Sequence, residues 1–372
     1  MTDQPIATIL PPREGFSPKA FGAITLSVKD FTYHSRYRER LMVFGQRDEE
    51  PYEGIHYEAL PVKRHWYEPN TRAYVRAIMK RLNEVNPCLI EVHNRPLLAC
   101  KIAAKTNTPI ALHLHNDPQE MKRAKTPQER QKLLDMCDAI YCISHWVHKR
   151  FLEGVQDDHG KVHTVHSGIA IPEKPQSKEK NIVFVGRMTP NKGGLEFAKA
   201  LARILPKHKD WHGYMIGGRR HSVSAKLSPY EKQVLEVMDN IGKNAHFEGF
   251  YPFDKTQQMF RDSAIVVIPS LWEEPFGRTG IEAICQGCAV ITSGRGGLSE
   301  IVGDTGIILS KVTGSTIADA LETLLISDER RETLQNAAYE RSKQFEIQAC
   351  TDRLDDIRDQ LLNTQETERH AA

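Results

Sequence analysis

The sequence predicts an α/β protein made of two doubly wound parallel-sheet domains in tandem. Three observations point there. Short apolar runs alternate with longer amphipathic stretches; the alternation pauses once near the middle of the chain; it then restarts with the same rhythm. Strand–helix–strand alternation implies parallel strands with helices packed on both faces, because each crossover must return over the sheet. At 372 residues the chain is long enough for two such domains of ordinary size.

In the first half, Ala7–Leu10, Leu41–Gly45, Cys88–Asn94, Pro109–Asn116 and Ala139–Ser144 read as strands. Between them, Asn70–Asn86 reads as a helix, with Tyr74, Ile78, Leu82 and Val85 on one face and Asn70 as its N-cap. The pause falls at Ser167–Asn181, a stretch rich in Pro, Lys, Glu and Ser that reads as an interdomain linker. The strand pattern resumes at Asn181–Arg187, Tyr214–Gly218, Ala245–Phe250, Ala264–Pro269, Ala289–Ser293 and Gly306–Ser310. A helix follows with Ile317, Leu321, Leu324 and Leu325 on its apolar face. Two more polar helices, Asp328–Gln344 and Ile347–Leu362, finish the chain. Ligands of such sheets bind outside the carboxyl ends of the strands.

Composition narrows the function classes. The net charge of +2 gives no whole-molecule field that would steer the protein to nucleic acid. Residues 1–175 carry 25 Lys and Arg against 21 Asp and Glu, and 11 of the 16 histidines. The clusters His34–Arg40 and Lys122–Lys132 read as solvated surface or as a face for anionic lipid or a charged acceptor. No basic segment leads into a long apolar one at the N-terminus, and no window approaches a membrane span. Seven cysteines, an odd number without an export signal, read as free thiols in a reducing cytoplasm.

Two segments could carry chemistry. In "NIVFVGRMTPNKGG" a buried strand ends at Gly186-Arg187, and a helix begins near Lys192. Two cations and a helix N-terminus make an anion site suited to phosphate, although the GxxxxGK[ST] spacing of a P-loop is absent. The bland alternative is a strand-to-helix loop with two surface cations. In "IVVIPSLWEEPFGRTGIEA" a second strand turns through a loop into a helix starting at about Gly277, so the N–H groups of Gly277, Arg278 and Thr279 lie in an unpaired first turn. Glu274 precedes that helix, and Glu282 lies about one and a half turns into it. Carboxylates there can accept hydrogen bonds from paired sugar hydroxyls. For Glu282 the alternative is a surface pair with Arg278 four residues back.

Together these residues resemble the retaining nucleotide-sugar glycosyltransferases of the GT-B fold, of the family 4 or group 1 type. "GRMTPNKGG" and "PSLWEEPFGRTGIEAICQGCAVITSGRGGLSEIV" carry the resemblance, with Glu274 and Glu282 matching the E-x7-E signature. It is strong over Asn181–Leu309, thinner over the first half and absent from the last ten residues. It implies two Rossmann-like domains facing across a cleft: an acceptor domain at 1–170, a donor domain at 171–345, and a helix at 346–372 that crosses back to the first domain before a short tail. It implies that Arg187 and Lys192 hold the donor diphosphate, that Gly186 lies beside it, and that Glu282 binds the ribose. Glu274 would contact the transferring sugar, with the backbone of Phe276, Gly277, Arg278 and Thr279 completing the pocket. "PIALHLHNDP" resembles the strand that ends in a histidine near the reacting sugar, His115 in preference to His113. "EGFSPKAFGAIT" stands at the glycine-rich acceptor loop, with Gly15 and Phe16 at the turn, although the paired glycines are missing. Ser167 stands where the family often has Asn.

The resemblance further implies transfer with retention, by front-face attack. Cations and a helix end would stabilise the leaving diphosphate without a metal, and Glu274 would bind hydroxyls and not act as a nucleophile. The implied partners are a nucleotide sugar and a glycan or lipid-linked acceptor of lipopolysaccharide or polysaccharide synthesis, with peripheral contact to an anionic inner-membrane leaflet and none to nucleic acid. A nucleotide-sugar epimerase on the same fold and a non-catalytic sugar-binding protein are the alternatives. Two other signals read as structural. Cys285 and Cys288 have CxxC spacing but fall on the later part of the Glu282 helix with no second pair. His113 and His115 share a strand face, with Asp117 as the nearest third metal ligand.

Overall fold

A computed structural model describes residues 4–18, 22–47, 50–63, 66–218 and 227–371, with side chains described as far as 363. The chain divides into two compact units, residues 1–168 with 347–372, and residues 169–346.

The first unit contains β1 (Ile6–Ile9), β2 (Leu41–Gly45), β3 (His56–Ala59), β4 (Leu89–His93), β5 (Ile110–Leu114), β6 (Ala139–Cys142) and β7 (Val162–Thr164). They form one parallel sheet in the order β3-β2-β1-β4-β5-β6-β7. The second unit contains β8 (Glu179–Val185), β9 (His212–Ile216), β10 (Ala245–Gly249), β11 (Ser263–Ile268), β12 (Ala289–Thr292) and β13 (Ile307–Ile308), in the order β10-β9-β8-β11-β12-β13. Each sheet reverses its winding once, between β1 and β4 and between β8 and β11. At such a switch point, adjacent loops part and leave a crevice beyond the strand ends.

The central strands are continuously apolar because helices cover both faces. β11 (SAIVVI) and β12 (AVIT) are buried at every position. The edge strands β3 and β7 escape the sequence pattern: HYEA and VHT have no apolar run, since one side of each faces away from the sheet. The Asn70–Val85 helix forms over the expected span, but Asn70 is its first helical residue. Pro69, extended, precedes it and accepts from the N–H groups of Arg72 and Ala73. Asn86 ends it in the left-handed conformation that Asn tolerates.

Much of Ser167–Asn181 is held against the second unit instead of hanging free. Ile169 donates to Phe345 O at 2.9 Å, Tyr339 donates to the carbonyls of Pro172 and Glu173, and Lys178 Nζ donates to Arg261 O at 2.8 Å. The last helix, Ile347–Ala371, belongs to the first unit. Its Arg358, buried, donates to both oxygens of buried Glu91 at 2.9 and 2.7 Å and to Asp355 at 2.7 Å. Asp355 also accepts from Ser35 Oγ and Arg36 N. Among the described residues no helix is long and apolar enough to cross a membrane.

Candidate active site

In the second unit, the loops after β8 and β11 meet at the switch point. Leu271 N donates to Asn191 O at 2.8 Å. Gly193 sits at φ 73°, and a Cβ there would stand 2.0 Å from Pro269 O; only glycine permits this approach. The contact brings Lys192 to Glu274, with Nζ donating to Oε1 at 2.6 Å. Ser270 Oγ and Trp272 Nε1 each donate to the same oxygen at 2.9 Å, and the Lys192 ammonium lies 5.1 Å from the Trp272 ring centre. Three donors therefore fix one oxygen of a carboxylate only 7% exposed. The other oxygen, Oε2, has no partner among the described residues and is free to accept. Ser270 and Trp272 lie in the quoted motif, and the Trp indole N–H beside two glutamates was the available signal for this anchor.

Arg187 follows β8 directly. It is exposed, and its guanidinium has no partner among the described residues. Gly186 N donates to Ile216 O at 3.0 Å, ending the β8 ladder. The helix after Lys192 spans Gly194–Ile204. Its Leu195 N–H donates to the Tyr230 hydroxyl at 3.0 Å, so part of that N-terminus is already satisfied.

The helix after β11 spans Arg278–Cys285, with Gly277 as N-cap at φ 97°. A Cβ on Gly277 would stand 2.4 Å from Leu298 Cδ2. Thr279 is in the first turn, and Gly280 N already donates to Gly277 O at 2.7 Å. Glu282 Oε1 accepts from Arg278 Nε at 2.9 Å, so the pairing weighed as its structural alternative is present, in a nearly buried setting. Phe276 turns its ring into the core against Phe345, leaving its backbone for a ligand.

Cys285 ends the helix, but Cys288 lies beyond it, immediately before β12. Their thiols donate to backbone carbonyls, Cys285 to Glu282 and Cys288 to Phe260 and Ser263. Burial raises both, Cys288 to about 11, so neither is a ready thiolate ligand.

In the first unit, Gly15 and Phe16 follow β1. The Phe16 ring is fully buried and stacks on Tyr57 at 5.2 Å, so it is a core side chain and not a surface for the acceptor. Gly15 O accepts from Thr25 Oγ1, and Lys19–Phe21 of the same loop lie outside the described residues. Ser167 is buried and hydrogen-bonds Ser27 across 2.8 Å.

His115 follows β5, and its backbone N–H donates to Asn94 Oδ1. Its Nε2 lies 3.0 Å from Nδ1 of His93, the last residue of β4. Sequence reading missed His93, although it closes a strand as His115 nearly does. Asp117, considered there as a third ligand, accepts instead from Arg150 and Gln119. Burial lowers all three histidines, His115 to about 3. Burial opposes ionisation of Glu91 too, but Arg358 and His113 overcome it and hold that carboxyl well below the usual range. Within the basic clusters, Arg36 pairs with Asp356 and Asp359, and Arg130 is buried, donating to the carbonyls of Phe151, Ala124 and Lys125; neither is free for a lipid face.

Solved structures share this architecture. Sucrose-phosphate synthase from Thermosynechococcus elongatus superposes with a TM-score of 0.78 at 18% identity, over 97% of this chain and 100% of its own. Anabaena HepE in complex with UDP and glucose gives 0.76 at 18% identity, over 95% and 99%. WaaG, a glycosyltransferase of lipopolysaccharide biosynthesis, gives 0.67 at 14%, over 95% and 99%. The fold class is therefore GT-B, two Rossmann-like parallel-sheet domains. The family description "Glycosyl transferases group 1" matches residues 169–341, and "Glycosyltransferase Family 4" matches residues 31–171. The chain belongs to this glycosyltransferase family. Among curated relatives, YtcC of Bacillus subtilis, itself named as a glycosyltransferase, is 26% identical over 83% of this chain and 80% of its own length. The lipopolysaccharide 1,2-N-acetylglucosaminetransferase of Salmonella typhimurium is 27% identical over 42% of each.

Proposed function

We propose that the protein transfers a sugar, with retention of anomeric configuration, from a nucleotide-diphosphate sugar to a glycan or lipid-linked acceptor. The observation that carries this reading is the Lys192–Glu274 pair at the second switch point, with Glu274 Oε2 and the Arg187 guanidinium left uncommitted on either side. Breaking the bond between an anomeric carbon and a diphosphate places growing negative charge on the leaving phosphate. Arg187, Lys192 and the start of the Arg278–Cys285 helix supply positive potential for it. Each is fixed before reaction, so little reorganisation is needed at the transition state. Glu274 Oε2 accepts from a hydroxyl of the transferring sugar, and Glu282 from the ribose. The backbone of Phe276, Gly277, Arg278 and Thr279 lines the same pocket, with Gly186 at its other edge. This set supplies its electrostatic stabilisation without a metal ion. His115, at the carboxyl end of the first sheet, is the acceptor-side residue, with the turn at Gly15 beside it in sequence order.

Lipopolysaccharide or related polysaccharide synthesis is the setting, supported by what the Salmonella relative and WaaG are named for. UDP is the first nucleotide to try, since HepE is described with UDP and glucose. Peripheral contact with an anionic leaflet on the cytoplasmic side belongs to the same reading. Trp66 and Tyr67, 89% and 69% exposed and edge-to-face, follow Lys63 in a surface loop, the residue types that favour a membrane interface. The test is a thermal-shift panel of nucleotide sugars, followed by NMR of the product formed from the best binder and a lipid-linked glycan. Retained anomeric configuration, with diphosphate released only when acceptor is present, supports transfer. Donor conversion without acceptor supports an epimerase instead.

A further inference from the structure

We propose that His93, His113 and His115 form a binding site for a divalent transition-metal ion, zinc being the best match. The site lies wholly within the first unit, and the proposal does not depend on the glycosyl-transfer reading.

The geometry comes from two neighbouring parallel strands. His93 and His113 are register partners on β4 and β5, and their rings stack at 4.1 Å. One ring nitrogen from each of the three histidines lies within 4.8 Å of the other two. His93 Nδ1 and His115 Nε2 are already 3.0 Å apart. Two imidazole nitrogens bound tetrahedrally to zinc, at about 2.0–2.1 Å each, stand roughly 3.3 Å from one another. That pair therefore needs only a slight opening, and His113 needs a modest ring rotation to join it.

The chemistry fits an ion better than a hydrogen-bonded cluster alone. Buried imidazoles normally satisfy their nitrogens. Here His113 Nε2 and His115 Nδ1 are buried without a hydrogen-bond partner. Burial keeps all three rings neutral near pH 7, so protons do not compete for the lone pairs. Nitrogen ligands without thiolates suit zinc, copper or nickel.

The surroundings resemble the outer shell of metal sites. Metal-bound histidines are commonly oriented by a carboxylate on the ring nitrogen away from the ion. Glu91 Oε1 stands 3.6 Å from His113 Nε2, and Glu91 is itself clamped by Arg358. His113 would then bind through Nδ1. Asn94 Oδ1 holds the His115 backbone, which fixes the third ligand. His115 is the least buried of the three, so a fourth coordination position opens on its side for water or an exogenous ligand.

The experiment uses full-length protein stripped of metal with a chelator. It is titrated with cobalt(II), whose visible absorption reports coordination, and then with zinc. The expected result is one equivalent of cobalt bound at micromolar concentration in a low-coordinate nitrogen environment, displaced by zinc. His93→Asn and His115→Asn should each weaken binding by at least about tenfold, while His145→Asn, at an exposed histidine, should leave it unchanged. Circular dichroism establishes that each variant is folded. His115→Asn guards against a fold lost through the more buried His93. Absence of stoichiometric binding in the wild type overturns the proposal, as does binding that persists in folded His115→Asn, which would place the metal on other histidines.

Discussion

Lys192 Nζ donates to Glu274 Oε1 at 2.6 Å, tying the loop after β8 to the loop after β11 across 82 residues of sequence. The pair does more than neutralise charge. With Ser270 and Trp272 it immobilises one carboxylate oxygen and leaves the other available. It also sets the ammonium at the edge of the crevice where a diphosphate would lie.

Lys192→Met removes a cation from the proposed leaving group and releases Glu274 from its strongest donor. A charge-assisted contact contributes about 1.5–3 kcal/mol, so turnover should fall roughly 10- to 100-fold or more. Steady-state kinetics with the cognate donor checks this, and an undiminished rate would count against the assignment.

Arg187→Ala gives a cleaner comparison, because Arg187 is exposed and makes no side-chain contact that the fold needs. Turnover should drop about 10- to 100-fold while the thermal midpoint stays within the range of an ordinary surface substitution. Loss of stability in step with activity would mean that the residue is structural.

Glu282→Ala should mainly raise the donor KM, with a smaller effect on kcat, because ribose binding changes little between ground and transition states. The variant also loses the pair with Arg278. Arg278→Ala is the control: it removes the pair but keeps the carboxylate, so a matching rise in KM for both variants would assign the effect to the pair and not to ribose recognition.

Stability should fall in mild acid. His93, His113 and His115 have folded pKa values below the 6.5 of a free imidazole, so the unfolded chain binds more protons once pH drops through about 6.5. Each contributes up to about 1.4 kcal/mol of lost stability per pH unit below that point. For His115 the loss continues to about pH 3. Glu91, also depressed on folding, adds its loss below about 4.5, the ordinary carboxyl value, where the unfolded chain takes up a proton first. Urea midpoints at pH 7.5, 6.0 and 5.0 should decline progressively, and His93→Asn should flatten the decline. A midpoint constant from pH 7.5 to 5.0 would contradict this.

The donor half was legible because its chemistry is local. Gly186–Lys192 and Glu274–Glu282 each sit on a short strand–loop–helix unit, and parallel pairing of β8 with β11 brings those units together. Arg358 and Glu91, 267 residues apart, could not be read as a pair, because nothing in the local pattern of a polar C-terminal helix names its partner. His93 was hidden for a related reason: its significance comes from register with β5, which periodicity does not specify. Phe16 was misassigned because position in a loop says little about ring direction, and its ring stacks on Tyr57 inside the core. The short edge strands β3 and β7 lack an apolar run, and their pairing comes from the sheet already built beside them.

The central claim is that the donor pyrophosphate lies between Arg187 and the first turn of the Arg278–Cys285 helix. A crystal structure with a nucleoside diphosphate at saturation tests it most directly. The account predicts phosphate oxygens on the Arg187 guanidinium and Lys192 Nζ, with the ribose hydroxyls on Glu282; a nucleotide bound elsewhere, or this crevice left empty, would contradict it.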